Sequence, residues 1–462
     1  MTYENFKSAV LTILVCLSLF LTWKLWTFQP NYSLLSDTDY IESVKIGEEK
    51  KLSEVIVPKQ VIFQVEDELR LLGTRDDLFL ELYEQLLTTG IKEVNIVNHG
   101  YSVRNLNQSI LFVLPTSLPI DVFMGLFNVD FVERELRLNS VDQFFLYFHP
   151  STETVNMRLI SFEEQRAVDL ETSFSVADFQ NVYLGKASEF PIAFAFPLET
   201  DDVRFIPMLF LPEERLQHVN VSYTTTPISL DLFKQLFFSD FVKEFRQGDG
   251  NESFTDGNRM INVIGRGNYM DYINPVFSEI QTRSGRHITL TSFDFINAHG
   301  GWTDQYVLDR WSSEGELEEE EARFRLNVNG LPVIRVDGQD MMQLVVTRSG
   351  NQTSRYIRPL FDLDFQPIYG ATWRSELLSG HEVLEQLNKR EGFDQSKIED
   401  LTVGYEMVKT NAIVTGEPYW FLLYDGFWEK LDFEVPDTPV DTEENEETEE
   451  PEDGEGEEDG LE

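Results

Sequence analysis

The chain has 462 residues, of which 37 are Lys or Arg and 81 are Asp or Glu, giving a net charge of −44, and 42% are hydrophobic. A length beyond the roughly 100–200 residues of one domain calls for two or three folded units, and the apolar content suffices for their cores. The charge repels a phosphate backbone and excludes nucleic acid as a partner, while the single cysteine, Cys16, excludes disulfide, Cys–metal and thiol chemistry from everything downstream.

The first element in chain order is the apolar run at residues 8–28, "SAVLTILVCLSLFLTWKLWTF". Residues 8–23 are uncharged, Lys24 can extend its ammonium to the interface, and Trp23, Trp26 and Phe28 resemble an interfacial aromatic belt. About 20 apolar residues span a bilayer, whereas a cleaved leader has a shorter apolar stretch and a small-x-small site, which "LTWKLWTFQPNYS" lacks. The run predicts a retained transmembrane helix in the cell membrane, with a cytoplasmic head at 1–7 and the bulk of the chain extracytoplasmic. At about 100° per residue, Ser8, Thr12, Cys16, Ser18 and Thr22 fall to one side of this helix and large apolar residues to the other. Small and hydroxyl side chains allow a second membrane helix to approach closely, which makes that side a candidate interaction face. The alternative is a lone anchor whose hydroxyls bond their own backbone.

Residues 29–59 read as a polar juxtamembrane connector feeding a strand, "VIFQV", at 61–65. In "TRDDLFLELYEQLLTTG" (74–90), Leu78, Leu82 and Leu86 recur every fourth residue behind early acids and ahead of Gly90, the pattern of an amphipathic helix. An internal echo follows. The segments "PIDVFMGLFNVDFVERE" from Pro119 and "PISLDLFKQLFFSDFVKEF" from Pro227 share F-x-x-L-F-x-x-D-F-V at a constant offset of 110 residues. The matched pairs are Phe123/Phe233, Leu126/Leu236, Phe127/Phe237, Asp130/Asp240, Phe131/Phe241 and Val132/Val242. Spacing i, i+3, i+4, i+8 places the Phe and Leu on one helical stripe, so helices at 123–132 and 233–242 are expected to pack into the cores of two units related by duplication.

Strand-like runs follow each copy, at 143–149 and 154–160 in the first and 259–265 in the second. The acidic stretch "SSEGELEEEEA" (312–322) predicts a break before a last unit with a helix at 374–391 and strands at 398–408 and 417–431. The expected fold class is α+β: a transmembrane helix at 8–28, then three extracytoplasmic α+β units with antiparallel sheets at 29–200, 201–312 and 313–436. The tail at 437–462 holds 15 acidic and no basic residues and is expected to stay disordered.

Catalytic patterns are missing from the sequence. The histidines, His99, His149, His218, His287, His299 and His381, do not pair at ligand spacing; the nearest to a zinc-protease helix is His381-Glu382 with Glu385 where the second His belongs. "GRGNY" from Gly265 lacks the third glycine of a dinucleotide fingerprint and reads as a turn. "DGNESFTDG" from Asp249 has Phe254 at the sharp-turn glycine of a calcium loop and reads as a polar hairpin loop. There is no G-x-S-x-G and no P-loop. Neither a catalytic residue, a cofactor nor a metal is expected.

The head "MTYENFKSAVLTILVCLSLFLTWKLWTFQPNY", followed by "SDTDYIESVKIGE" and "VIVPKQVIF", resembles the YycH family of low-GC Gram-positive bacteria, and the layout agrees up to "PYWFLLYDG". The resemblance implies a non-enzymatic regulator that works with a YycI-like membrane protein on the sensor histidine kinase of YycG/WalK type in a cell-wall two-component system, through contacts between helices in the lipid bilayer. It carries over no catalytic residues, only the run 8–28 as the interaction element. An anchored extracytoplasmic cell-wall hydrolase, or a scaffold that binds wall material, is the alternative.

Overall fold

Strand-forming runs rich in Val, Ile, Phe and Tyr dominate, and in the computed structural model they pair into two large sheets. The structure describes residues 7, 11–20, 46–97, 108–127, 136–200, 205–238, 242–246, 252–275, 285–314, 319–364, 366–370 and 373–433. The acidic tail at 437–462 lies outside them. Residues 11–20 are helical. No helix among the described residues is long and apolar enough to cross a membrane, and residues 8–10 and 21–28 of the expected span lie outside them.

The first sheet contains β1 (Gln60–Val65), β2 (Glu68–Leu72), β3 (Ile91–Val97), β4 (Ser109–Pro119), β5 (Ser140–His149), β6 (Thr154–Ser161), β7 (Arg166–Thr172), β8 (Ile192–Pro197) and β9 (Met208–Pro212). They are ordered β3-β7-β6-β5-β4-β1-β2-β8-β9, every neighbour antiparallel. Both faces are covered. Val61, Phe63, Phe144 and Leu159 enter the main core, whereas Ile62, Phe145, Ile160 and Phe210 form a second cluster on the opposite face. Two-sided burial explains why β5 reads as a continuous apolar run without alternation. The expected helix at 74–90 is Asp77–Leu87, and its stripe of Leu78, Phe79, Leu82, Tyr83 and Leu86 is buried.

The remainder contains β10 (Leu216–Val219), β11 (Val221–Pro227), β12 (Lys243–Arg246), β13 (Glu252–Thr255), β14 (Met260–Ile264), β15 (Tyr269–Ile273), β16 (Tyr306–Glu314), β17 (Glu319–Val328), β18 (Leu331–Val336), β19 (Gln343–Ser349), β20 (Gln352–Pro359), β21 (Phe361–Leu363), β22 (Arg374–Leu377), β23 (Ile398–Thr410), β24 (Ile413–Tyr424) and β25 (Phe427–Leu431). Strands β10 and β22 pair separately. The others form one sheet along β12-β13-β14-β15-β20-β19-β17-β18-β23-β24-β11-β21, with β16 on β17 and β25 on β24. Only the β18–β23 pairing in this path is parallel.

Several expectations are corrected here. Residues 312–314 and 319–322 of the acidic stretch lie on paired antiparallel strands within the sheet, with Ser312 opposite Glu321 and Glu314 opposite Glu319, so the ladder continues past residue 312. Its acids are matched by arginines: Glu320, 4% exposed, pairs with the equally buried Arg348, and Glu321 pairs with Arg323. Residues 252–255 of the supposed loop form β13. The helix expected at 374–391 begins only at Gly380, because Ser379 and Glu382 form a reciprocal capping box and Arg374–Leu377 is paired with β10.

The echoed helices are shorter than expected, Ile120–Met124 and Leu230–Phe237. In the second copy Phe238 leaves the helix in an extended conformation, and Phe237 and Phe238 are both buried. Phe123, Leu126, Phe127, Phe233 and Phe237 are buried and Leu236 packs against the same core, whereas Phe131 and Phe241 lie outside the described residues. Phe123 meets Phe144 edge-on at 5.3 Å, and Phe237 stacks on Tyr272 at 4.1 Å.

Residues 47–50 of the segment expected as a polar connector are docked. Gly47 N donates to Gly300 O at 2.7 Å, and Glu48 and Trp302 exchange backbone hydrogen bonds at 3.0 and 2.9 Å. The Asn297 side chain, at the end of the helix Ile288–Ala298, brackets Lys50: Oδ1 accepts from Lys50 N at 3.2 Å and Nδ2 donates to Lys50 O at 3.1 Å. The same Oδ1 accepts from Trp302 Nε1 at 2.7 Å. A Cβ on Gly47 would stand 2.3 Å from Trp302 O, so the approach requires glycine. Lys50 Nζ donates to Asp304 O at 2.8 Å and to Gln305 Oε1 at 3.1 Å. Burial brings the Lys50 ammonium down to about 8 and pushes the Asp304 carboxyl up to about 7, the latter against the Leu363 amide that donates to it.

Two outcomes are expected. Phe127→Ala or Phe237→Ala should each lower the unfolding free energy in urea by about 3–5 kcal/mol, because a buried ring is replaced by a cavity; an unchanged midpoint would place those rings outside the core. Asp304 holds its proton more tightly folded than unfolded, so its contribution is complete below the ordinary value of 3.8 and is lost as pH rises to about 7. The stability of Asp304→Asn relative to the parent should accordingly rise between pH 4 and pH 7, and a difference that is flat with pH would show that Asp304 titrates normally.

Candidate functional site

Of the predicted interaction face, Thr12, Cys16 and Ser18 lie on the helical stretch 11–20 and are exposed, with Cys16 a free thiol. Ser8 and Thr22 lie outside the described residues. Thr12 and Cys16 are four apart and share one line along the helix, and Ser18 lies about 120° around the axis from Thr12. His381 stacks on Phe194 at 3.7 Å, and Glu382 caps its helix while pairing with Arg215 at 2.6 Å. No group of His, Cys, Asp or Glu among the described residues could hold a metal ion.

Among the described residues, a cleft of about 810 Å³ lies where the first sheet meets the second. One wall is the helix Asp77–Leu87 with the turn before it, presenting Phe79, Leu80, Tyr83 and Leu87; the facing wall comes from β18, β23 and β24 through Leu331, Ile334, Val403 and Trp420. Residues 53, 54 and 57–60, directly after the docked connector, line it as well. Polar contacts join its sides. Lys59 pairs with Asp400 at 3.0 Å, and Thr74 Oγ1 donates to Gly330 O at 3.4 Å.

Charges in the lining are mostly committed. Arg325, 1% exposed in its side chain, pairs with Asp309 at 2.9 Å and Asp340 at 2.5 Å. Burial disfavours both ions of the Arg325–Asp309 pair, and the attraction outweighs it: the Asp309 carboxyl lies below its ordinary value and Arg325 above. Asp76 Oδ2 accepts from Gly73 N at 2.9 Å and Glu54 Oε2 from Lys51 N at 2.6 Å. Burial lowers the His218 imidazole below its usual 6.5, so at pH 7 it is neutral. Arg75 is exposed, and burial of part of its length lowers its guanidinium from 12.5; among the described residues it has no carboxylate partner. Sequence reasoning missed this cleft because its residues come from distant segments and form no motif; the one local signal was Arg325 between the apolar Phe324 and Leu326.

The comparisons with known proteins agree with the resemblance. The sequence matches the descriptions "YycH protein, N-terminal domain" over residues 4–185 and "YycH protein, C-terminal domain" over residues 207–438. It is 25% identical over 452 residues to the "Two-component system WalR/WalK regulatory protein YycH" of Bacillus subtilis (strain 168), covering 92% of this chain and 96% of that protein. The fold resembles the crystal structure of YycH from Bacillus subtilis with a TM-score of 0.67 at 19% identity, covering 84% of this chain and 98% of that one. Two domain matches that between them take in most of the sequence make this chain a member of the YycH family.

Proposed function

We propose that this chain is a membrane-anchored, non-enzymatic regulator of the sensor histidine kinase of a two-component system, acting with a YycI-like membrane protein through contacts between membrane helices. The observation that carries the reading is the likeness, over nearly the full length of both chains, to a relative named as a WalR/WalK regulatory protein. The run at 8–28 has the length and aromatic edge of a bilayer span, and its small residues Thr12 and Cys16 fit a close helix contact. The docked connector supports the same reading. Residues 47–50 are held by five backbone or Asn297 hydrogen bonds and the Lys50 ammonium, so a displacement of the central helix Ile288–Ala298 is passed to the chain leading back to the anchor.

The test separates a helix contact from a tether. Replacing Thr12 and Cys16 together by Phe should reduce co-purification of the kinase or the companion protein and alter kinase output, because added bulk prevents close approach, whereas Leu14→Ile with Leu17→Ile should change neither. Each hydroxyl bond is worth only about 1 kcal/mol, so single Ala substitutions should be nearly silent. Normal output from the Phe pair, with control lost on deleting the outer region, would show that the anchor is only a tether.

A further inference from the structure

We infer that the cleft between the sheets binds an amphiphile: a long acyl chain along the apolar walls, with a monoanionic head group held by Arg75. The volume of about 810 Å³ lies within the roughly 300–1,000 Å³ of small-molecule sites, and its mainly apolar lining with few polar groups is the composition such sites share. Leu80 is 49% exposed at this cleft, an arrangement that costs free energy in water and is relieved by an apolar occupant.

Charge selects the head. The acids Asp309 and Asp400 are neutralised by Arg325 and Lys59, while Asp76 and Glu54 accept backbone amides. Arg75 is the lining cation left without a carboxylate partner among the described residues, and its guanidinium fork can hold a carboxylate or a phosphate through two parallel hydrogen bonds. Glu84, exposed and also in the lining, disfavours a dianion more than a monoanion. The net charge of −44 does not decide the matter, since charges beyond about 8 Å are screened at physiological salt. Arg325 adds a buried Nε without a hydrogen-bond partner in the same lining. A bound chain would touch both sheets and residues 57–60 at once, thereby loading the connector; that consequence for the kinase rests on the regulatory reading above, whereas the binding does not.

A free fatty acid and the acyl chain of an anionic phospholipid share this chemistry. Full-length protein in isolated membranes would be irradiated with a diazirine-bearing hexadecanoic acid in one arm and a phosphatidylglycerol carrying the same chain in the other, and the adducts mapped by mass spectrometry. Adducts are expected on peptides containing Phe79–Leu87 or Leu401–Val403 in at least one arm, reduced about tenfold by Arg75→Glu and retained by Arg75→Lys. The first arm alone would identify a free acid as the source, and the second a membrane lipid. Adducts confined to residues 8–28 in both arms, or cleft adducts indifferent to Arg75→Glu, would overturn the inference. Kinase output is not read in this experiment, so its failure leaves the regulatory proposal standing.

Discussion

The arrangement of the folded region depends on one short antiparallel contact, in which Gly47 and Glu48 lie along Gly300 and Trp302 and the Asn297 amide closes over Lys50. A single carboxamide there satisfies the backbone of Lys50 on both sides and the indole N–H of Trp302, three polar groups that burial would otherwise leave costly. Trp302, 2% exposed, then meets Phe324 edge-on at 5.1 Å and ties the contact to the middle of the large sheet. From this point the chain runs through Val55 and Ile56, both fully buried, into β1, so the connector shares a core with both sheets.

A second constraint is how an acidic chain builds extensive sheets without burying unpaired charge. Arginines within strands supply the answer. Arg158 pairs with Asp169 across β6 and β7 at 2.5 Å, Arg348 with Glu320 across β19 and β17, and Arg325 with Asp309 and Asp340. Replacing such a pair by apolar residues can be neutral, but removing one member leaves a buried ion, at a cost of about 3–5 kcal/mol. Pairing across neighbouring strands also fixes register, since a slip of one residue would send each arginine to the opposite face of its sheet.

Local pattern carried the elements that local physics decides. The Leu78, Leu82, Leu86 stripe, the strand runs and the burial of Phe127 and Phe237 were legible because each needs only periodicity and an apolar surface to bury. The acidic stretch at 312–322 misled because a charge run normally marks solvent, and the arginines that neutralise Glu320 and Glu321 are read only once the strands are paired. Ser379 and Glu382 were a visible capping box, so the late start of the helix at Gly380 could have been found from sequence. The cleft could not: Arg75, His218 and Arg325 are separated by more than a hundred residues each and acquire meaning only through the sheet that joins them.

The docked connector also sets an order of assembly. Lys50 and Asn297 are 247 positions apart and Lys59 and Asp400 are 341 apart, so the contacts that seat residues 47–60 need residues made far later. At roughly 5–20 residues per second of synthesis the connector waits tens of seconds for its partners. During that interval the apolar side chains of Val55, Ile56 and the strands behind them have no finished surface to cover them, and pairings of such high sequence separation form slowly. The nascent chain is accordingly most exposed to proteolysis and misassociation just before its end is made, and truncations at the distal end should surface as degradation of the whole.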